Sequence, residues 1–418
     1  MSETTGALRV PTRHFDVEAV RREFPILGRS VHGRPLVYLD NGASSQSPAA
    51  VIAAVEDYMS THHANIHRGV HTLSQEATAL YEEARERIRR FVNAASRSEI
   101  VLLRGTTEAI NLIAQSYARP MLRPGDEVLI THLEHHANIV PWQMVCAQTG
   151  ATLVVAPIDE RGEVHAEAVE ALMGPRTRIL ACAHVSNALG TVLPVERLVA
   201  SARSRGIVTV VDGAQAVAHC GVDVRALGCD FYAFSGHKMY GPTGIGALYG
   251  REELLERMPP WQGGGDMILR VSFSGTTYAA LPGKFEAGTP NISGAVGLGA
   301  AIAFLDSMDL DAARSHEEAL RLHAEDTLGA IAGLRVIGTA RRKAGLVSFV
   351  VDGVHPHDIG TILDQEGVAI RTGHHCAMPV MDHFKVPATA RASFAFYNTF
   401  AEIDRLAAAV EHARRMFL

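Results

Sequence analysis

Five cysteines in 418 residues, none in a CxxC pair, give no disulfide framework and no cysteine-based zinc site. Charge is sparse as well. Asp, Glu, Lys and Arg make up 20% of the chain and sum to −6, so no basic face is expected for nucleic acid or an anionic membrane. No apolar run approaches the length of a membrane span. The start, Met1 to Glu18, lacks the apolar core and cleavage site of a secretion signal, and a cytoplasmic protein is expected. Internal repeats and low-complexity tracts are also missing. What is present is 47% hydrophobic residues, ample for a buried core, in a chain long enough for two domains.

Short β-branched runs alternate with helix-length segments through the middle of the chain. The runs 100–103, 127–130, 152–155, 179–181 and 208–211 read as buried strands, with helices such as 108–118 and 195–205 between them. That alternation predicts an α/β domain over residues 34–304, with a mainly parallel sheet flanked by helices. The remainder has a different texture: a charged helical pattern over 305–332, strand-like 345–351, a helix over 357–366, a strand over 367–371 and a helix over 401–418. A smaller α+β domain is predicted from residues 1–33 plus 305–418, with 16–24 packed on it.

Lys238 is the most informative residue, set in Phe234-Ser235-Gly236-His237-Lys238-Met239-Tyr240-Gly241. Lysine is rarely buried, and a desolvated one has the lowered pKa that suits imine formation and proton transfer. Upstream, Asp212 ends a predicted strand, where an open parallel sheet presents side chains to a ligand crevice. Gln215 follows it. Thr106 and Thr107 open a helix after another strand, a place for phosphate, although plain threonine capping has the same signature. Ser235 and His237 are close enough along the chain to donate to the same phosphate. His135 follows a third strand end, where an imidazole can stack on a ring. A lysine with an acid partner, a phosphate cradle and a stacking histidine is what pyridoxal phosphate requires.

No metal is expected. His132 and His136 stand four apart, but Glu134 is one place off the HExxH pattern, and His63, His67 and His71 repeat the spacing. Four cysteines sit among apolar or small residues and read as buried hydrophobes. Cys376 differs: it follows Gly373-His374-His375 and suits an accessible, partly ionised thiol. Arg391 can grip a carboxylate in bidentate fashion, as lysine cannot.

The motifs Asp212-Gly213-Ala214-Gln215, Phe234-Ser235-Gly236-His237-Lys238, Phe285-Glu286-Ala287-Gly288-Thr289-Pro290 and Arg371-Thr372-Gly373-His374-His375-Cys376-Ala377-Met378-Pro379 together resemble the SufS-type (group II) cysteine desulfurases. These are class V enzymes of pyridoxal-phosphate fold type I, with a seven-stranded-type sheet. The resemblance runs from about Phe24 to the C-terminus. It implies that Lys238 holds the cofactor as an imine, Asp212 pairs with the ring nitrogen, His135 stacks on the ring and Gln215 reaches the phenolic oxygen. Thr106, Thr107, Ser235 and His237 would hold the phosphate, with Thr289 contributed by the other subunit of a homodimer. Asn187 and Arg391 would bind the substrate carboxylate. Gly42 stands where many relatives carry alanine.

The activity implied is release of L-alanine from L-cysteine, with the sulfur left on Cys376 as a persulfide. Cys376 lies five residues after Arg371, expected to close a strand, so the thiol is on a short tether. A sulfur acceptor protein of the SufE or SufU type must then come to it, for iron–sulfur cluster assembly among other uses. His357 is a candidate contact for a zinc-bearing acceptor. Two alternatives stay open: a selenocysteine lyase on the same scaffold, and a non-catalytic scaffold subunit of a sulfur assembly complex.

Overall fold

The computed structural model describes residues 15–417. The opening residues 1–14, assigned above to the small domain and read as part of a start without a secretion signal, lie outside the described residues. The dominant element is a seven-stranded sheet: β1 (Ile100–Leu103), β2 (Glu127–Thr131), β3 (Thr152–Ala156), β4 (Thr177–Ala183), β5 (Val208–Asp212), β6 (Phe231–Ser235) and β7 (Gly246–Gly250), in spatial order β1-β7-β6-β5-β4-β2-β3. The run from β6 to β3 is parallel throughout, and β7 lies antiparallel between β1 and β6. The predicted mainly parallel α/β sheet is therefore present. β1 runs in the same direction as β2 to β6, so their carboxyl ends share one edge. In open sheets of this kind ligands bind beyond that edge.

Each predicted strand is present within about two residues. β6 and β7 were not read as strands, because Phe-Tyr-Ala-Phe-Ser and Gly-Ala-Leu-Tyr-Gly lack β-branched residues. They are strands because every one of these ten residues is buried in the sheet.

Helices cover both faces. α1 (Thr72–Phe91) packs against α4 (Ile292–Asp306), while α2 (Thr106–Leu112) and α3 (Val140–Thr149) lie nearer the site. α4 is followed by α5 (Leu310–Gly329), whose start is capped by Asp309, its carboxylate accepting from the Ala312 N–H. The chain thus breaks at 307–309 rather than at the expected 304, where α4 is still helical. No single helix among the described residues is long and apolar enough to cross a membrane.

A second sheet is antiparallel: β8 (Leu334–Ile337), β9 (Leu346–Val351), β10 (Arg371–Gly373) and β11 (Thr389–Ser393), in order β8-β9-β11-β10. α5, α6 (Pro356–Gln365) and α7 (Phe400–Met416) pack on it. Residues 37–40, expected with the large domain, pair here instead: Val37 and Tyr38 with Val368 and Ala369, and Asp40 with Ser393. The reason is local alternation, which turns Val37 and Leu39 into this layer's core. Within 16–24, Arg21 pairs with Glu402 at 3.0 Å and donates to the Tyr397 carbonyl at 2.6 Å. Phe24 packs on Tyr397 and Phe396, and also on Tyr240 and Phe304 of the larger layer. Arg371 opens β10 rather than closing a strand.

The position of β7 depends on glycine. A Cβ on Gly246 would lie 2.4 Å from the Phe234 carbonyl oxygen and 2.6 Å from Gly105 Cα, both backbone atoms that cannot step aside. Gly246→Ala is expected to lower stability by about 1–3 kcal/mol or more, read as a drop in Tm. An unchanged Tm would contradict this packing.

Candidate active site

Five strand ends deliver the candidate residues to one edge. Thr106 and Thr107 follow β1, His135 follows β2, and Asn187 follows β4. Asp212 ends β5, while Ser235, His237 and Lys238 end and follow β6. The second sheet closes the cleft from the other side with Arg391 on β11 and Cys376 after β10. All of these, with Gln215, line a single cavity of about 210 Å³. Thr289 alone among the candidates does not: it is exposed and away from the cavity of its own chain.

The lysine turn is tight. Gly236 to Lys238 form a short 3-10 turn, and both Met239 and Gly241 donate N–H groups to the Gly236 carbonyl. Tyr240 follows at φ 67°, a left-handed conformation that costs a bulky residue of order 1–3 kcal/mol and persists only where packing enforces it. Its N–H is held by Ser45 Oγ at 2.7 Å. Lys238 is half-buried, and burial brings its amine down to about 8, against the attraction of Asp212.

Asp212 is buried and accepts from the Ala214 N–H at 2.9 Å; burial raises its carboxyl while that bond and Lys238 oppose the rise. His135 Nδ1 accepts from the Ala137 N–H at 3.0 Å, so the ring proton sits on Nε2. Burial, then the nearby Lys238 charge, push His135 down to about 3, and the same causes push His237 to about 4. Both imidazoles are neutral at physiological pH.

At the phosphate end, the Thr106 N–H donates to Ser235 Oγ at 2.9 Å, and the two hydroxyls lie 2.9 Å apart. Gly105, at φ 148°, brings them together: a Cβ there would sit 2.8 Å from Ser235 Oγ. Hydroxyls and N–H groups at a helix start, with His237 beside them, match a phosphate dianion. At the opposite end Arg391 is 2% exposed, donates through Nη1 to the Asn187 carbonyl at 2.7 Å and through Nη2 to Asp40 at 3.1 Å, and has an unpartnered Nε. Asn187 donates Nδ2 to the His375 carbonyl at 2.6 Å and leaves Oδ1 without a partner. A buried N–H with no acceptor is a seat for an anionic group. The donor set thus fits pyridoxal phosphate: Thr106, Thr107, Ser235 and His237 are the groups that could hold its phosphate, with His135, Asp212 and Lys238 left to meet its ring and aldehyde.

Cys376 is half-buried on the wall facing Lys238. Its loop is pinned: the Cys376 carbonyl accepts from the His136 N–H at 2.8 Å, its N–H donates to His374 Nδ1 at 3.3 Å, and His375 Nε2 meets Thr389 Oγ1 at 2.9 Å. His375 and Cys376 have φ of 52° and 55°, two left-handed non-glycine residues in succession. His132 and His136 point to different partners, the Pro379 carbonyl and the Met378 N–H. The segment between them is a turn rather than a helix, so the four-residue spacing makes no ligand pair.

Two lining or supporting residues were missed in the sequence. Arg371 lines the cavity, and Asp40 holds Arg391 while lying 3.7 Å from Arg371. Arg371 stands inside a motif quoted above, but nothing in a linear pattern says that residue 40 meets residue 391. Gly42 is close to the same guanidinium; a Cβ there would be 3.3 Å from Arg391 Cζ.

The sequence model for class-V aminotransferases matches residues 37–406. The chain belongs to that family. Class-V aminotransferases are enzymes, and pyridoxal phosphate is the cofactor that this site fits. A probable cysteine desulfurase of Vibrio cholerae is 50% identical over 399 residues, 96% of this chain and 98% of the relative. A probable cysteine desulfurase of Halalkalibacterium halodurans is 52% identical over 403 residues, 96% of this chain and 99% of the relative. Among solved structures, the cysteine desulfurase CsdA of Escherichia coli superposes with a TM-score of 0.91 at 44% identity, covering 97% of this chain and all of that one. The seven-stranded sheet of this class-V chain is the one expected for fold type I.

Lys238 carries a pH signature. Its folded-state amine, at about 8, is below the unfolded value of 10.5. Between these values the unfolded chain holds a proton that the folded chain has shed, so stability at this residue rises with pH across that window. Cofactor-free Lys238→Met is expected to be more stable than wild type at pH 7, by about 2–3 kcal/mol, with the gap closing as pH rises from 8 to 10.5. Denaturant melts at several pH values measure it; a gap that does not change with pH would contradict the assigned burial of the amine.

Proposed function

We propose that this chain is a cysteine desulfurase that uses pyridoxal phosphate to convert L-cysteine to L-alanine and leaves the sulfur on Cys376 as a persulfide. The observation that carries the reading is a half-buried thiol lining the same cavity as Lys238, Asp212 and Arg391. Plain transamination has no use for a thiol at that place. The similarity to the desulfurases of Vibrio cholerae and Escherichia coli over nearly the whole chain supports it.

Bound pyridoxal phosphate supplies an electron sink that makes the Cα–H of attached cysteine labile. Arg391, with its free Nε, binds and orients the substrate carboxylate, and Asn187 backs it. Lys238, with an amine near 8, takes the Cα proton and returns it to a neighbouring carbon. His135, neutral with its proton on Nε2, would stack on the ring. The Cys376 thiolate attacks the substrate sulfur: an S–S bond forms, the Cβ–S bond breaks, and its electron pair passes to carbon. Protonation at Cβ completes alanine. A thiol reductant or acceptor then removes the persulfide sulfur.

The division of labour follows the expected one with its edges moved: the layer built on the seven-stranded sheet, to Asp306, as the cofactor-binding domain, and the layer that includes residues 37–40 and runs on from Leu310 as the domain that brings the thiol. A homodimer is part of the reading. The phosphate end opens to solvent at exposed Thr107 beside Trp261, and the exposed Thr289 of a second copy is the group assigned to close it. Cys376 lies three residues after Gly373, which ends β10, a reach of at most about 11 Å. That supports an acceptor of the SufE or SufU type coming to the thiol, with iron–sulfur cluster assembly as the destination. His357, exposed at the start of α6, is the contact offered to a zinc-bearing acceptor.

The test compares wild type with Cys376→Ala at matched cofactor occupancy, measuring alanine from L-cysteine in the presence of a reductant. Alanine formation is expected to fall by about a hundredfold or more while the visible cofactor band persists. Unchanged alanine formation would remove the persulfide step and favour a lyase, with selenocysteine as the substrate to try. Arg391→Lys is expected to raise KM for L-cysteine by about tenfold or more with a smaller change in the cofactor band.

A further inference from the structure

Glu134 takes no part in the chemistry above, yet among the described residues no other acidic side chain is as completely covered; it is 0% exposed. It lies directly behind the cavity wall. Its Oε1 accepts from the Thr131 hydroxyl at 2.5 Å and from the Ala183 N–H at 3.1 Å, and its Oε2 accepts from Asn138 Nδ2 at 2.6 Å. Thr131 ends β2 and Ala183 ends β4, so one carboxyl ties two strand ends to the turn that follows. Three wall residues hang on it: His135 by the chain, Ala183 by its N–H, and Ala137 between His135 and Asn138. Ala183 also stands in register with Asp212 on the neighbouring strand.

Two of the three donors cannot reverse. The Ala183 N–H has no alternative role. Asn138 is oriented by Trp142, whose indole, a donor only, gives to Oδ1 at 2.8 Å, so the amide nitrogen must face Glu134. Thr131 is the adjustable partner, because its hydroxyl accepts from the Leu133 N–H at 3.3 Å and can either donate to Glu134 or accept from it. The carboxylate is therefore satisfied by three donors, and the neutral acid by turning one hydroxyl. The site accommodates both charge states without rearranging the backbone.

We propose that Glu134 is a positioning residue for the ring-facing His135, and that it is also a buried proton switch whose charge acts on the cofactor ring through Asp212. The second half rests on the cofactor reading above. Burial pushes the Glu134 carboxyl up to about 7; the bonds from Thr131, Asn138 and Ala183 oppose this, and the Asp212 charge adds to it. The groups facing it are few: Asp212 on β5, the buried Cys182 thiol on β4, itself pushed well up by burial, and neutral His135 on its own turn. When Glu134 is ionised, two negative charges lie on the ring-nitrogen side of the site and favour a protonated ring. When it is neutral, Asp212 acts alone.

The chain has two tryptophans, so Trp261→Phe leaves Trp142, bonded through Asn138 to Glu134, as the sole indole reporter. In that background, full-length protein is titrated from pH 5.5 to 8.5 with and without pyridoxal phosphate, reading indole emission and the visible cofactor band. The expected result is one emission step near pH 7, its loss in Glu134→Gln, and a shift by about one pH unit or more upward in Thr131→Val, which keeps the carboxyl but removes a donor. The midpoint of the cofactor band is expected to fall in Glu134→Gln, because a nearby negative charge is gone. An emission step that survives Glu134→Gln overturns the proposal, and so does a flat wild-type trace. Should Glu134→Gln not fold, an unshifted step in Thr131→Val overturns it. Failure to take up pyridoxal phosphate would instead sink the proposed function, leaving the emission step in place.

Discussion

The clamp at Arg391 is the constraint on which the cleft depends. A guanidinium 2% exposed on β11 reaches across to the Asn187 carbonyl beyond β4 and to Asp40, so a single side chain ties both sheets to the N-terminal segment. Its one carboxylate partner is shared with Arg371. A buried charge with so few partners is costly if left alone, typically about 3–5 kcal/mol when its partner is removed. The free Nε therefore makes the site an energetic well for an incoming carboxylate, and Asp40 keeps the guanidinium in place until one arrives. On the proposed function, the few bonds that hold the layers together are also the ones that would present the guanidinium to substrate.

Around that clamp the electrostatics are divided by burial rather than by distance. Lys238, His135 and His237 share one cavity and would repel one another if all were charged. Desolvation is the first cause of the shift in each, and it keeps both imidazoles neutral while bringing the lysine amine within reach of physiological pH. Asp212, at the base, is the fixed counter-charge, and Glu134 lies two strands across the sheet, on the turn after β2. A low-dielectric pocket makes each remaining charge count for more, in binding a dianionic phosphate and in steering a proton.

The site was more legible in the sequence than the fold that builds it. Lys238, Asp212, Cys376 and Arg391 lie in short motifs whose chemistry survives without knowledge of topology, and the structure brings them to one cavity. Asp40 was not legible, since its meaning is a contact across most of the chain. Glu134 was read only as a failed metal motif, because burial is invisible in a string of His and Glu. The strands that were missed, β6 and β7, are built from Gly, Ala, Tyr and Phe, and their propensity is supplied by neighbours rather than by their own side chains. α4 was overlooked for a related reason: it is apolar nearly all round, with Gly294, Gly297 and Gly299 allowing close approach, so it shows no helical stripe.

The placement of β7 also has a consequence for how the molecule comes into being on the ribosome. Within the sheet, β1 reaches β6 through this late, antiparallel strand, so the pairing that fixes Thr106 beside Ser235 is complete only once residue 250 has been made. Contacts between such distant parts of the chain form slowly. The phosphate end of the cleft is therefore assembled during synthesis well before the carboxylate end, which waits for β11 near the finish. On the proposed function, the residues assigned to the cofactor phosphate are thus made before Arg391, the residue assigned to the substrate carboxylate.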